Sequence, residues 1–224
     1  MICRPAFPCK RGADNTDNSA WISRMAPTSP ALRPHRLTKS IIVPILVAAE
    51  EDRMSGALAR AGHEAGTSIR FELRPGDLGE IVRMHGDLYA REHGFSMGFE
   101  AYVAGTLAAY DWPLGGRERL WIVEKAGQMA GTIAIVRGAD AAAQLRWLLL
   151  RAELRGKGLG QAMVEEAVSF SRLAGYSSIF LWTIGSLTSA TSVYRRVGFT
   201  LTEKKTHELW GATRTEERYD LSLT

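Results

Sequence analysis

The chain carries two kinds of hydrophobic periodicity, and they alternate from about residue 69 to the end. Ile69-Arg70-Phe71-Glu72-Leu73 reads apolar-polar-apolar, the mark of a strand, and Arg74-Pro75-Gly76-Asp77 then turns the chain, with Asp77 suited to a helix entry. Ile81, Met84 and Leu88 follow at helical spacing as far as His93-Gly94, where glycine fits a left-handed cap. A second helix is predicted from about Gly98 to Tyr110, with Phe99, Tyr102, Val103, Thr106 and Leu107 on one face and a stop at Trp112-Pro113. Leu120–Glu124 and Met129–Val136 are β-rich runs joined by Lys125-Ala126-Gly127-Gln128, a predicted hairpin, and Gln144–Leu150 is a third apolar run. After the glycine-rich stretch 153–160, Met163, Ala167, Phe170 and Ala174 mark a helix that breaks at Gly175. Ser178–Thr183 is a strand, a short helix reaches about Val197, one strand starts at Phe199, and Arg218–Leu223 alternates as the last. The order β-α-α-β-β-β-α-β-α-β-β describes an α/β domain around a mixed sheet.

Residues 1–53 show neither period. They are rich in Pro, Arg and Ser and are expected to be disordered, or to be upstream sequence included by an early start codon, Met54 being the more ordinary start. The expected organisation is an extension over 1–66 and a domain over 67–224. The apolar run Ile41–Ala49 contains Pro44 and has nine residues, against the roughly 20 that span a bilayer.

Charge changes the picture in one respect. The sequence pI of about 9.2 invites a nucleic-acid reading, but residues 1–49 hold 7 Lys or Arg against 2 acids, leaving 21 against 22 for residues 50–224. The folding part is near neutral, so no nucleic-acid or membrane partner is expected of it, and only the front segment offers itself as a tether. Both cysteines, Cys3 and Cys9, lie in that segment, which leaves the domain without a disulfide or a cysteine nucleophile and points to the cytoplasm.

The chemistry concentrates in Arg155-Gly156-Lys157-Gly158-Leu159-Gly160, between a strand and a helix. Successive backbone N–H groups at such a junction can converge on one anion, and glycines keep Cβ atoms out of its way. A Walker loop needs Ser or Thr after Gly-Lys, and Gly158 stands there. A dinucleotide fold needs G-x-G-x-x-G and a later acid, yet the last glycine comes two places early and 174–183 contains no acid. A turn that only reverses the chain is the remaining local alternative.

R-x-x-G-x-G at this junction, through Arg155, Gly158 and Gly160, resembles the coenzyme A signature of the GNAT acetyltransferases. Tyr194-Arg195-Arg196-Val197-Gly198-Phe199 resembles the family's last helix and following strand, Leu148-Leu149-Leu150 the strand before the signature, and Leu181-Trp182-Thr183 the strand beyond it. Through His85-Gly86, Tyr89, Glu92 and Phe99-Glu100 the chain is similar to the acetyltransferase half of regulators that fuse a helix-turn-helix domain to a GNAT domain. The resemblance covers about 67–224, and two positions depart from it: Ala152 stands where many members have proline, Ile184 where many have a cofactor-contacting asparagine.

The resemblance implies the GNAT acyl-CoA N-acyltransferase fold, a mixed, mostly antiparallel sheet flanked by helices, with central strands splayed between Leu150 and Ser178–Thr183. It implies acetyl-CoA as co-substrate, no metal, and an amine acceptor, small molecule or protein, that attacks the thioester directly in a ternary complex, on a monomer or homodimer. Cofactor contacts fall on Leu148, Leu149, Leu150, Arg155, Gly156, Lys157, Gly158, Leu159, Gly160 and Gln161, with a backbone N–H near Leu149 or Leu150 facing the thioester oxygen. A lysine-like amine of pKa about 10.4 is neutral in only about one molecule in 2,500 at pH 7, a deficit of roughly 4.6 kcal/mol. Glu92, Glu100 and His85 are the candidate bases, with solvated helix charges and a packing histidine as their plain alternatives. Tyr194 is the candidate acid for the departing thiolate. Trp147 and Trp182 are candidate acceptor-tunnel residues, His207, Glu208 and Trp210 candidate borders, and Arg195 and Arg196 candidates for the coenzyme's 3′-phosphate. The competing class is a non-catalytic acyl-CoA-binding or protein-interaction module on the same fold.

Overall fold

The computed structural model describes residues 54–139 and 141–224, and the expectations for residues 1–53 lie outside them. The elements are α1 (Gly56–Glu64), β1 (Ser68–Arg70), α2 (Asp77–His93), α3 (Met97–Ala108), β2 (Arg119–Lys125), β3 (Gln128–Arg137), β4 (Ala143–Leu150), α4 (Leu159–Leu173), β5 (Ser178–Ile184), α5 (Thr188–Val197), β6 (Thr200–Leu209) and β7 (Ala212–Ser222), with a 3-10 turn at Ala152–Leu154. The strands form one seven-stranded sheet in the order β1-β2-β3-β4-β5-β7-β6.

Alternation along the central strands sends side chains to two cores. Trp121, Val123, Ile133, Ile135, Leu145 and Leu181 pack under α4, while Ile122, Ala134, Val136, Trp147 and Leu149 pack under α2 and α3. The caps follow local chemistry: Gly94 ends α2 with φ 63°, and Asp77 at its start accepts from the Arg74 N–H at 2.6 Å and from both terminal nitrogens of Arg70 at 2.8 Å.

Residues 56–64, which the sequence pattern leaves in the amino-terminal extension, form a helix on the α4 side of the sheet. Ser55 caps it by accepting from the Leu58 N–H, the Ser55 N–H donates to the buried Glu166 of α4 at 2.9 Å, and Leu58 is fully buried. Nine residues with two buried positions, Leu58 and Gly62, are too short and too polar to announce themselves by period. Leu58→Ala is expected to cost about 2–4 kcal/mol, read as a lowered denaturation midpoint.

The last two strands are also longer than their pattern predicts. The strand expected from Phe199 has no apolar face to carry it through Glu203-Lys204-Lys205-Thr206-His207-Glu208, yet β6 pairs with β7 from Thr200 to Leu209. Trp210 and Gly211 make the turn, both at positive φ (49° and 91°) as a tight hairpin requires. The Trp210 carbonyl accepts from Ser96 N–H at 3.0 Å, fastening the hairpin tip to the corner between α2 and α3.

The feature that creates the site lies at the sheet's centre. β4 and β5 form its one parallel pair and meet only at Ala143/Ile179 and Gln144/Phe180. Beyond Gln144 the strands splay, and the edge of β4 facing β5 has no strand partner among the described residues. On its other edge β4 bulges against β3, where Ala134 faces Arg146 and Thr132 faces Leu149. Trp147 takes up the extra residue at φ 49°, a left-handed conformation worth roughly 1–3 kcal/mol of strain for a non-glycine. Its surroundings hold it there: Thr132 Oγ1 donates to the Trp147 carbonyl at 2.6 Å, and Trp147 Nε1 lies 3.3 Å from Thr106 Oγ1. A Cβ on Gly131 would come within 2.8 Å of the Leu149 carbonyl, so glycine is what lets β3 approach the bulge.

Candidate active site

Two cavities open where the sheet splays. The larger, about 630 Å³, runs from β4 across the glycine-rich turn to the first turns of α5 and is lined by Leu148, Leu149, Leu150, Arg155, Gly156, Gly158, Gly160 and Gln161, with residues 186–190, Ser192, Val193 and Arg196 opposite. The smaller, about 110 Å³, lies between the splayed strands and the α2–α3 corner. Tyr89, Leu148 and Leu187 line both, so the two cavities meet there.

The glycines of the larger cleft have different reasons. Gly156 and Gly158 stand at φ 73° and 81°, and Gly158 opens α4 with no side-chain cap. The turn therefore reaches the helix in left-handed steps that leave the first N–H groups of α4 clear for an anion. Gly160 is already helical, and a Cβ there would touch only Leu150 Cδ1, at 3.4 Å. Arg155 braces the turn: its Nε donates to the Leu150 carbonyl at 2.8 Å and its Nη1 pairs with Glu92. Lys157 and Leu159, both expected to contact cofactor, do not line the cleft, and Leu159 is buried in the core beneath it. Arg196 lines the cleft, whereas Arg195 turns away to donate to the Tyr219 hydroxyl at 3.0 Å.

The three candidate bases separate. Glu92 sits on the wall of the larger cleft, ion-paired to Arg155. Glu100 is exposed, lies against Gly86, and lines neither cavity, because the inward face of α3 belongs to Phe99, Val103 and Leu107. His85 alone of the three lines the smaller cavity. Its Nδ1 is 2.8 Å from the Ile81 carbonyl, which can only accept, so Nδ1 carries the proton and Nε2 has the lone pair. Nε2 is buried with no partner. Burial lowers the imidazole to about pH 4, only partly offset by the bond to Ile81.

That shift has a consequence for stability. The unfolded chain takes up this proton near pH 6.5 and the folded one near 4, so between those values the unfolded state binds more protons and stability falls as the solution is acidified. The expected loss is roughly 3 kcal/mol by about pH 4, and His93, also lowered by burial, adds in the same direction. Denaturant melts across this range should show the slope, and His85→Leu should flatten most of it.

Tyr194 is buried, lines the smaller cavity, and packs its ring against Phe199 and Tyr219 at centroid distances of 6.0 and 6.1 Å. Burial, reinforced by the nearby Tyr89 phenol, pushes its hydroxyl well above the ordinary range, and burial pushes Tyr89 up to about 12. Both phenols stay protonated through neutral pH and can donate. Trp147, Trp182 and Trp210 line the same cavity, together with Phe95, Phe99 and Tyr102.

Two charged residues of this cavity carry no sequence signal. Arg146, on β4, is buried beside the Trp147 ring at 5.2 Å and donates to the Tyr102 hydroxyl at 3.1 Å. Glu216, on β7, is buried and accepts from or donates to His207 Nε2 at 2.8 Å. Arginine in an apolar strand and the first of two adjacent glutamates both look like solvated charges until the sheet register is known. His207, by contrast, falls in the stretch flagged as bordering the acceptor, and reaches it through Glu216.

Comparison with known proteins agrees with this geometry. A sequence profile of the acetyltransferase (GNAT) family matches residues 87–199. N-acetyltransferase family 8 member 3 of Rattus norvegicus is 36% identical over 84 residues, covering 35% of this chain and 37% of the rat protein. The match therefore spans little more than a third of that relative's length. An N-acetyltransferase of Schizosaccharomyces pombe is 30% identical over 144 residues, 62% of this chain and 86% of the yeast protein. Among solved structures, an N-acetyltransferase from Staphylococcus aureus Mu50 superposes with a TM-score of 0.59 at 14% identity, over 70% of this chain and 99% of the other. Spermidine N-acetyltransferase from Vibrio cholerae, in complex with CoA and spermine, gives 0.52 at 18% identity over 71% and 96%. At these identities the structures establish the fold.

Proposed function

Because the chain belongs to the acetyltransferase (GNAT) family, we propose that it transfers the acetyl group of acetyl-CoA to an amine by direct attack in a ternary complex. The observation that carries this reading is the meeting of two cavities of unequal size at Tyr89, Leu148 and Leu187, one suited to a long nucleotide-bearing arm and one to a small acceptor. Arg155, Gly156, Gly158, Gly160 and Gln161, with the start of α4, would hold the pyrophosphate. Arg196 is placed for a further phosphate. The open edge of β4 at Leu148–Leu150 would take the pantetheine and supply the N–H that stabilises charge on the thioester oxygen. Ile184, at the position of the family's frequent asparagine, is buried and lines the acceptor side, so the main chain of β4 carries more of the arm's positioning.

As the amine attacks, the N–C bond forms and the C–S bond breaks. Tyr194 would donate its proton to the departing sulfur and recover one from the nitrogen. His85, on the wall of the smaller cavity, would help to orient the amine by packing against it. Glu92 would act through Arg155, by fixing the glycine turn. The sequence likeness to helix-turn-helix fusion regulators extends, in the same proposal, to the acceptor side, since His85, Tyr89 and Phe99 line it. The enzyme would work in the cytoplasm as a monomer or homodimer, without nucleic acid or membrane, a reading supported by the near-neutral charge of 50–224 and by cysteines confined to Cys3 and Cys9. Among the described residues no helix is long and apolar enough to cross a membrane, and no group of three or more His, Cys, Asp or Glu is placed to hold a metal ion.

The test is calorimetric titration with acetyl-CoA and CoA, followed by thiol release over a panel of amines. Micromolar binding and amine-dependent thiol release are the expected results. A folded protein that binds neither ligand refutes the proposal.

A further inference from the structure

An acetyltransfer that starts from an ammonium ion must rid the acceptor nitrogen of two protons: one ends on the sulfur, and the other has to leave the protein. Tyr194 accounts for the first. The second needs a group that touches the acceptor cavity at one end and water at the other. His85 cannot serve, since its Nε2 is enclosed and its other nitrogen is committed to the Ile81 carbonyl.

We propose that Glu216 takes this proton from the acceptor amine and that His207 relays it to solvent, a role that rests on the acetyltransferase reading above. The pairing register shows why the two meet. On β7, Glu216 stands opposite Ile184 of β5, so its side chain shares the face on which Ile184 packs beneath α2 and α3, and it lines the acceptor cavity. On β6, Lys205 is directly opposite Glu216, which puts His207, two residues on, diagonally across on the same face. Nε2 of His207 lies 2.8 Å from Oε2 of Glu216. The exposures differ as a relay requires: the Glu216 side chain is 5% exposed and that of His207 is 32%.

Charged and titratable neighbours come from every element around the pair. Arg146 on β4 and Tyr102 on α3 line the cavity with Glu216, and Arg146 donates to the Tyr102 hydroxyl at 3.1 Å. From β6, Lys205 is drawn off by Glu203 and lies over the Trp182 ring at 4.8 Å. From β7, Arg214 faces His207 in register but spends its guanidinium on the Phe95 ring at 3.9 Å and on the carbonyls of His93, Gly94 and Leu209.

The step balances without a further reactant. The ammonium gives one proton to the Glu216 carboxylate, and the neutral amine attacks. The carboxylic acid passes its proton to Nε2 of a neutral His207, and the imidazolium loses its Nδ1 proton to water. The second nitrogen proton leaves through Tyr194 to the thiolate, so one proton is released to solvent for each amide and free thiol formed. The carboxylate also sets the class of acceptor: a primary amine that enters as a cation with an apolar or aromatic body, given the wall of Tyr89, Phe95, Phe99, Tyr102 and Trp210.

The full-length protein, Glu216→Gln and His207→Gln would be compared in thiol release with propylamine, 2-phenylethylamine and spermine from about pH 6 to 10, with acetyl-CoA affinity measured alongside. Glu216→Gln is expected to lower kcat about 100-fold with acetyl-CoA affinity unchanged. His207→Gln is expected to lower kcat about 10-fold below pH 8, with the deficit shrinking at higher pH and recovered by imidazole in the buffer. Two results would overturn the relay alone: His207→Gln at wild-type rate across the pH range, or Glu216→Gln that raises KM for the amine with kcat intact. If Glu216→Gln loses acetyl-CoA affinity, its fold is disturbed, and His207→Gln, altered at the surface, decides. A wild-type protein that does not bind acetyl-CoA would overturn the relay together with the acetyltransferase reading.

Discussion

Gly158→Asp is expected to weaken acetyl-CoA binding at least about 100-fold while leaving the protein folded. Two effects combine. At φ 81° a side chain is strained, by about 1 kcal/mol, and the turn into α4 shifts to relieve it. The larger effect is charge. A carboxylate at the N-cap stands at the positive end of α4, where the pyrophosphate would sit, and answers the helix's free N–H groups itself. Two like charges about 5 Å apart at an effective dielectric of about 20 repel by roughly 3 kcal/mol, which alone exceeds a hundredfold in affinity. Gly158→Ala separates the two effects, with a loss of about tenfold expected from strain alone. Calorimetric titration with acetyl-CoA measures both, and a thermal midpoint close to wild type shows that the site and not the fold has failed. Wild-type affinity in Gly158→Asp would mean that the turn does not bind the phosphates.

Tyr194→Phe is expected to lower kcat about 100- to 1,000-fold with acetyl-CoA affinity within about twofold of wild type. The substitution keeps the ring and its contacts with Phe199 and Tyr219, so packing loses little. What disappears is a hydroxyl that burial keeps protonated, placed beside Tyr89 where the cavities meet. Pre-steady-state thiol release with saturating acetyl-CoA and 2-phenylethylamine checks this directly. An unchanged rate would assign Tyr194 to packing alone and leave the sulfur to be protonated by water.

Much of this protein was legible along the chain. Helices α2, α3, α4 and α5 and strands β2 to β5 each bury one face or lie between two cores, and burial of a face is what a hydrophobic period records. The glycine-rich turn was legible for a related reason: left-handed φ at 156 and 158 is a demand that glycine meets at the least cost, so the residue type reports the backbone. Arg155, Gly158 and Gly160 with Tyr194 and Gly198-Phe199 are likewise local in sequence.

The smaller cavity was decided by the tertiary structure. Glu92 and Glu100 lie on the right helices, but their azimuth is set by packing: one meets Arg155 and the other faces out beside Gly86. Arg146 and Glu216 become cavity residues only because β4 bulges at Trp147 and β7 stands beside β5 in one particular register, facts held by contacts between residues distant in sequence. The hairpin of β6 and β7 has the same origin: its charged run over 203–208 carries no apolar period, and its tip is fastened through Trp210 to Ser96. Sequence by itself determined the fold family and the glycine-rich turn, because those depend on local backbone demands and on burial. The cavity and its carboxylate depend on which strands lie side by side, and only the assembled sheet decides that.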